Sequence, residues 1–172
     1  MSQSIAVGMV GYKFMGKAHS NAYRQINQFF DLPLRPRLKS ICGRDNAKVE
    51  KMAERWGWEN AVDDWRRIID DPEIKIVDIC SPNNTHHDIA IAAFQAGKIV
   101  ACEKPLAMSG KQAEQMAAAA RRSGAINTVW YQNDAGQGIE RALLGSGPCV
   151  VAREIRGRNS SITIITRTPG LR

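Results

Sequence analysis

The sequence predicts an α/β domain on a doubly wound parallel sheet, followed by a short irregular C-terminal appendage. Three observations carry that prediction. Apolar runs of strand length alternate with helix-length amphipathic segments from the start to about residue 131. The strand-like runs are apolar throughout, as strands covered on both faces are. A length of 172 residues suits one domain with a short remainder. Right-handed crossovers then set helices on both faces of the sheet.

Taken in order, Ile5–Val10 is a buried strand, and Met15 to about Phe30 is a helix. Asp31-Leu-Pro-Leu-Arg-Pro36 reads as a proline-broken loop before a second strand, Leu38–Cys42. Asp45 or Asn46 caps the next helix, whose Val49, Met52, Ala53 and Trp56 share one face and which Gly57 ends. A short strand at Asn60–Val62 and a small helix with Trp65, Ile68 and Ile69 follow. Ile74–Cys80 is the clearest strand of all. Residues 84–96 form a helix stopped by Gly97, and Ile99–Cys102 is a strand. Ser109 caps a helix with an apolar stripe of Ala113, Met116, Ala117 and Ala120, closed by Arg121, Arg122 and Gly124. Ile126–Tyr131 is the last strand. The domain therefore spans residues 1–132. Residues 133–172 form a tail rich in Gly, Ser, Thr and Arg, with Ile139–Leu144 a candidate helix and Cys149–Ile155 and Ile162–Thr166 candidate strands.

Composition narrows the function classes. The first residues carry no basic segment followed by an apolar one, so no signal peptide is expected, and no apolar run approaches the roughly 20 residues of a membrane span. Cys42, Cys80, Cys102 and Cys149 lie far apart without C-x-x-C spacing. They are expected as reduced thiols of a cytoplasmic protein, with no metal site. Of the net charge of +7, +4 is spread thinly over residues 1–132, while the tail carries +3 from six arginines and three acids. No Lys/Arg run is interleaved with aromatics, which argues against nucleic-acid binding.

The chemistry is concentrated at strand ends. Gly8-Met-Val-Gly11-Tyr-Lys-Phe-Met-Gly16 joins the first strand to the first helix, where backbone N–H groups and the helix dipole cradle a pyrophosphate. This is the position of the Rossmann glycine turn. Gly11 makes the tight turn and Gly16 lets helix and strand pack closely, whereas Lys13 stands at the middle glycine of G-x-G-x-x-G and is placed to contact a phosphate. A turn without a ligand is the alternative. Cys42-Gly43-Arg44-Asp45 ends the second strand. An acid there binds the ribose 2′-hydroxyl and an arginine accommodates a 2′-phosphate. With Gly43 in place of the acid and Arg44 next, NADP is favoured over NAD, although Asp45 keeps both open. Ser81-Pro-Asn-Asn-Thr-His86 follows the clearest strand at its carboxyl end, where open α/β sheets bind ligands. His86 or His87 is a candidate proton-transfer group, but with no Asp or Cys partner in sequence a packing or capping role is favoured. In Glu103-Lys104-Pro105, burial would tune the lysine toward proton donation.

The run from Val10 to Asn21, the segment Ser81–His86 and the segment Ala96–Leu106 together resemble the Gfo/Idh/MocA oxidoreductases, the family of glucose-fructose oxidoreductase and inositol dehydrogenase. The resemblance covers roughly residues 4–131. It implies that Pro82, Asn83, His86 and Glu103 line the dinucleotide site, beside the candidate contacts at the strand ends, Gly11, Lys13, Phe14, Met15, Gly16, Arg44 and Ser81. It further implies that Lys104 contacts the reacting hydroxyl or carbonyl of a sugar or polyol, and that the Lys104–Pro105 peptide is cis. Such enzymes move a hydride between nicotinamide and the substrate carbon, and a full-length member is expected as a homo-oligomer. Family members continue for some two hundred residues into a second domain that supplies an Asp and a His. Residues 139–157 follow the order of its first helix and strand. A shifted reading frame or truncated gene after about Gln132 would equally yield such a tail. A dinucleotide-binding module without turnover of its own is the alternative to an enzyme.

Overall fold

The structure, a computed structural model, describes residues 3–130. The chain divides into two compact units, Met1–Ser81 and Pro82–Arg172. The expected boundary at 132/133, Tyr131, Cys149 and the candidate tail elements lie outside the described residues.

The first unit holds β1 (Gln3–Val10), α1 (Phe14–Phe29), β2 (Leu34–Cys42), α2 (Asn46–Trp56), β3 (Asn60–Val62), α3 (Arg66–Asp70) and β4 (Ile74–Ile79). Its strands lie in the order β3-β2-β1-β4, and every pairing is parallel. Val7, Met9, Ile41, Val49, Ile68, Ile74, Val77 and Ile79 are wholly enclosed. Each such side chain contributes about 1.5–3 kcal/mol of burial, which fixes the strand faces. As expected, Asp45 caps α2 by accepting the Lys48 N–H at 3.2 Å. Of its expected apolar face Val49, Met52 and Ala53 are buried, whereas Trp56 is half-buried.

One element departs from expectation. The second half of the segment read as a proline-broken loop, Leu34–Pro36, is the start of β2, where Pro36 pairs with Ile5. β3 reaches only Ser40–Cys42, so the first half of β2 has a neighbour on one side alone. A proline is tolerated where its missing N–H faces no partner strand.

The second unit holds a 3-10 turn at Asn83–Thr85, α4 (His86–Gln95), β5 (Ile99–Glu103), α5 (Gly110–Ser123) and β6 (Asn127–Trp130). β5 and β6 are parallel, and α4 packs on α5 and on β5. Ile89, Ala90, Ala93, Cys102, Met116 and Ala120 make its core. Small residues on both helices permit their close approach. Ser109 caps α5 through the Gln112 N–H, as its position predicts. Among the described residues no helix is long and apolar enough to cross a membrane.

Candidate functional site

The glycine turn is built by sterics. Gly11 has φ +115°, and a Cβ there would stand 2.5 Å from both the carbonyl carbon and oxygen of Cys80. Its N–H donates to the Cys42 carbonyl at 2.9 Å, which anchors the turn to β2. A Cβ on Gly16 would collide with the Gly11 carbonyl oxygen. Between them Lys13 has φ −75° and ψ −147°, a conformation that does not require glycine, and its side chain is exposed. Phe14 is 79% exposed and Met15 half-buried.

Lys13 occupies the N-cap of α1, and no side chain caps this end. The contrast with α2 and α5, capped by Asp45 and Ser109, is chemical. The first N–H groups of α1 have no intrahelical acceptor, its first turn holds no acid, and the dipole favours an anion.

At the end of β2, the Tyr12 ring covers Gly43 so closely that a Cβ would collide with it. Arg44 is exposed. Asp45, besides capping α2, pairs with the Lys48 ammonium, whose hydrogen bond holds the carboxyl below its ordinary range.

In the second unit, the 3-10 turn is fastened by the Thr85 hydroxyl donating to the Pro82 carbonyl at 2.7 Å. Pro82 is exposed and Ser81, closing the first unit, is half-buried. Asn83 donates through Nδ2 to the Met108 sulfur at 3.1 Å, while its Oδ1 is buried without a partner. His86 is 1% exposed, and its Nδ1 lies 3.0 Å from the Pro105 carbonyl oxygen. A carbonyl only accepts, so Nδ1 carries the proton and the ring fastens α4 to the segment after β5. This agrees with the packing role favoured from sequence. The Glu103 carboxylate is buried and accepts the Lys104 N–H at 3.0 Å. The Lys104–Pro105 peptide is cis, as the resemblance implies. The burial that would tune Lys104 is not found. Its side chain is exposed, because β5 ends at Glu103 and the following residues leave the sheet.

Sequence reading missed one constellation. His19 and Tyr23, on α1, meet Asp78 of β4 and Cys80 just beyond it. His19 Nδ1 lies 2.9 Å from Asp78 Oδ2 and 3.1 Å from Cys80 Sγ, and that thiol lies 3.5 Å from Asp78 Oδ1. Burial, then the Asp78 charge, pushes the Tyr23 phenol well above its ordinary value. The available signal was an aspartate inside the apolar run Ile74–Cys80, since a buried carboxylate implies a partner. Among the described residues, Cys42, Cys80 and Cys102 form no disulfide.

Residues 5–131 match the family model described as "Oxidoreductase family, NAD-binding Rossmann fold". Levoglucosan dehydrogenase of Pseudarthrobacter phenanthrenivorans is 44% identical over 130 residues, 75% of this chain and 33% of that protein. Myo-inositol 2-dehydrogenase of Thermotoga maritima is 28% identical over 70% of this chain and 34% of its own length. Among solved structures, levoglucosan dehydrogenase in complex with NADH superposes with a TM-score of 0.72 at 44% identity, over 74% of this chain and 34% of that one. An oxidoreductase domain protein from Kribbella flavida gives 0.71 at 45% identity, over 74% and 35%. The chain thus spans about a third of the length of these relatives. Matched across its whole glycine turn and on to its last described strand, the chain belongs to the Gfo/Idh/MocA oxidoreductase family, in its NAD-binding Rossmann fold.

Proposed function

We propose that this chain is the dinucleotide-binding part of a sugar or polyol dehydrogenase. The observation that carries the reading is the uncapped N-terminus of α1, entered through two positions where a Cβ would strike backbone. A pyrophosphate fits that end on chemical grounds, since it supplies acceptors to the first-turn N–H groups of Phe14, Met15 and Gly16. Lys13 adds a cation beside it. A bound nicotinamide supplies the hydride donor or acceptor. Ser81, Pro82, Asn83, His86 and Glu103 are proposed as further dinucleotide contacts, and the buried Asn83 Oδ1 supports this as an acceptor in search of a donor.

Lys104 is proposed as the catalytic residue. Its ammonium holds a proton at Nζ and donates to the oxygen of the reacting hydroxyl or carbonyl, while Glu103 fixes the Lys104 backbone. Arg44 is proposed to meet the 2′-phosphate of NADP, because Gly43 leaves no acid at that point and Asp45 is engaged with Lys48. A cytoplasmic location and homo-oligomeric assembly complete the reading, supported for the first by cysteines that are not in disulfides among the described residues and for the second by resemblance alone.

Isothermal calorimetry with NADH and NADPH tests the binding half. The expected result is saturable binding that Gly16→Ala removes, and no binding of either dinucleotide would overturn the proposal. A second reading, a binding module without turnover, is favoured by the coverage of only a third of the relatives' length. An absorbance assay on inositol, glucose and levoglucosan separates the two, since Lys104-dependent oxidation belongs to the enzyme alone.

A further inference from the structure

Behind the glycine turn lies a group of side chains that dinucleotide binding does not use. His19 Nδ1, a carboxylate oxygen of Asp78 and Cys80 Sγ lie within 4.8 Å of one another, near the junction of α1 and the end of β4. Asp78 is wholly buried, whereas His19 is 11% exposed and Cys80 partly exposed, which leaves a path from solvent. We propose that His19, Asp78 and Cys80 bind a thiophilic divalent cation of the Zn2+ class.

The donor set is the first argument. Thiolate and imidazole select zinc-like ions, and a carboxylate completes a common three-ligand combination. Charge is the second. Binding breaks the S–H bond of Cys80, forms a metal–sulfur bond and releases that proton to solvent. A thiolate and a carboxylate then balance the dication, and imidazole ligates neutral, with its proton on Nε2. Geometry is the third. Tetrahedral zinc with bonds of about 2.0–2.3 Å separates its ligand atoms by about 3.3–3.6 Å. The observed 2.9 Å from His19 Nδ1 to Asp78 Oδ2 and 3.1 Å to Cys80 Sγ are each within half an ångström of that spacing. Side-chain rotation opens such a gap without moving backbone. An ion held here ties His19, in the second turn of α1, to the residue whose carbonyl packs against Gly11. The turn would be braced from behind.

The test uses the untagged 172-residue chain, stripped with a chelator and dialysed against Zn2+ for elemental analysis or against Co2+ for spectroscopy. One metal per chain is expected, with a thiolate-to-cobalt charge-transfer band in the near ultraviolet. Cys80→Ser should abolish that band and weaken Zn2+ retention at least about tenfold, whereas Cys102→Ala should preserve both. His19→Gln removes the imidazole from the partly exposed side of the group and should weaken Zn2+ by at least the about ten- to a hundredfold typical of losing even an outer partner. It decides the matter even where Cys80→Ser fails to fold. Substoichiometric metal in the parent chain overturns the proposal. So does a folded Cys80→Ser chain that retains Zn2+ like the parent, or a His19→Gln chain that binds it as tightly.

Discussion

Gly16 stands against the carbonyl oxygen of Gly11 so closely that no side-chain carbon fits between them. Alanine is the better helix former by about 0.8–1 kcal/mol, so Gly16→Ala would stabilise an ordinary helix. Here the neighbour is backbone and cannot rotate away, and overpacking of this kind costs about 1–3 kcal/mol. A net loss of stability in urea is therefore expected, together with loss of NADH binding in calorimetry, because the displaced turn re-aims the first-turn N–H groups. A chain stabilised by the substitution would show that the approach is not close.

Ile68 makes a similar relationship with Gly8 in the core of the first unit. A Cβ on Gly8 would collide with Cγ2 of the wholly buried Ile68. Gly8→Ala is expected to cost about 1–3 kcal/mol, and Ile68→Ala about 2–5 kcal/mol. Since the new methyl occupies space that the second substitution vacates, the double variant should lose less than the two losses together, by about 0.5–3 kcal/mol. Strict additivity in urea denaturation would refute the contact.

Cys42 sets a pH limit. Burial first, then the charges of Asp64 and Asp63, pushes its thiol from 9.0 up to about 12. The raised folded value means that its contribution is complete below pH 9, where the thiol is protonated folded or unfolded. It is lost as pH rises from 9 toward 12, since the unfolded thiol ionises first. Cys42→Ala should accordingly narrow the loss of stability between pH 8 and 10 by about 1 kcal/mol relative to the parent. Labelling at pH 8 should also spare Cys42 until the chain unfolds. Equal pH profiles for the two proteins would remove the thiol from the account.

What the sequence disclosed and what it hid divide along a physical line. Caps at Asp45 and Ser109, the apolar face of α2 and the turn from Gly11 to Gly16 were legible because each is set within a few residues of itself. A packing role for His86 or His87 was legible from the lack of an Asp or Cys partner in sequence. Pro36 was misread because its tolerance depends on β3 being too short to reach it. The exposure of Lys104 likewise depends on where β5 leaves the sheet, which local pattern does not encode. His19 was invisible as a site residue for the same reason. Its partners Asp78 and Cys80 are 59 and 61 residues away, and only the packing of α1 beside β4 brings them together.

Arg44 is the handle on cofactor choice. The customary switch would place an acid at Gly43, but the Tyr12 ring already fills the space of its Cβ, so Gly43→Asp would test packing and not specificity. Asp45 is no substitute, since removing it uncaps α2 and releases Lys48. Arg44 is exposed, and replacing it leaves the strand end and the cap in place. A guanidinium on a 2′-phosphate makes charge-assisted hydrogen bonds whose loss costs about 1.5–3 kcal/mol. Arg44→Ala is therefore expected to weaken NADP about ten- to 150-fold and to leave NAD within about twofold, measured by calorimetry on the parent and variant chains side by side. Salt adds a second check. The NADP contact should weaken between low and high ionic strength in the parent and change less in Arg44→Ala, because a partly exposed ion pair is screened. Equal losses for the two dinucleotides would place Arg44 outside the 2′ position. A parent that binds NAD alone would reverse the preference, leaving the acid-free end of β2 as a surface shaped by Tyr12 and not by a phosphate.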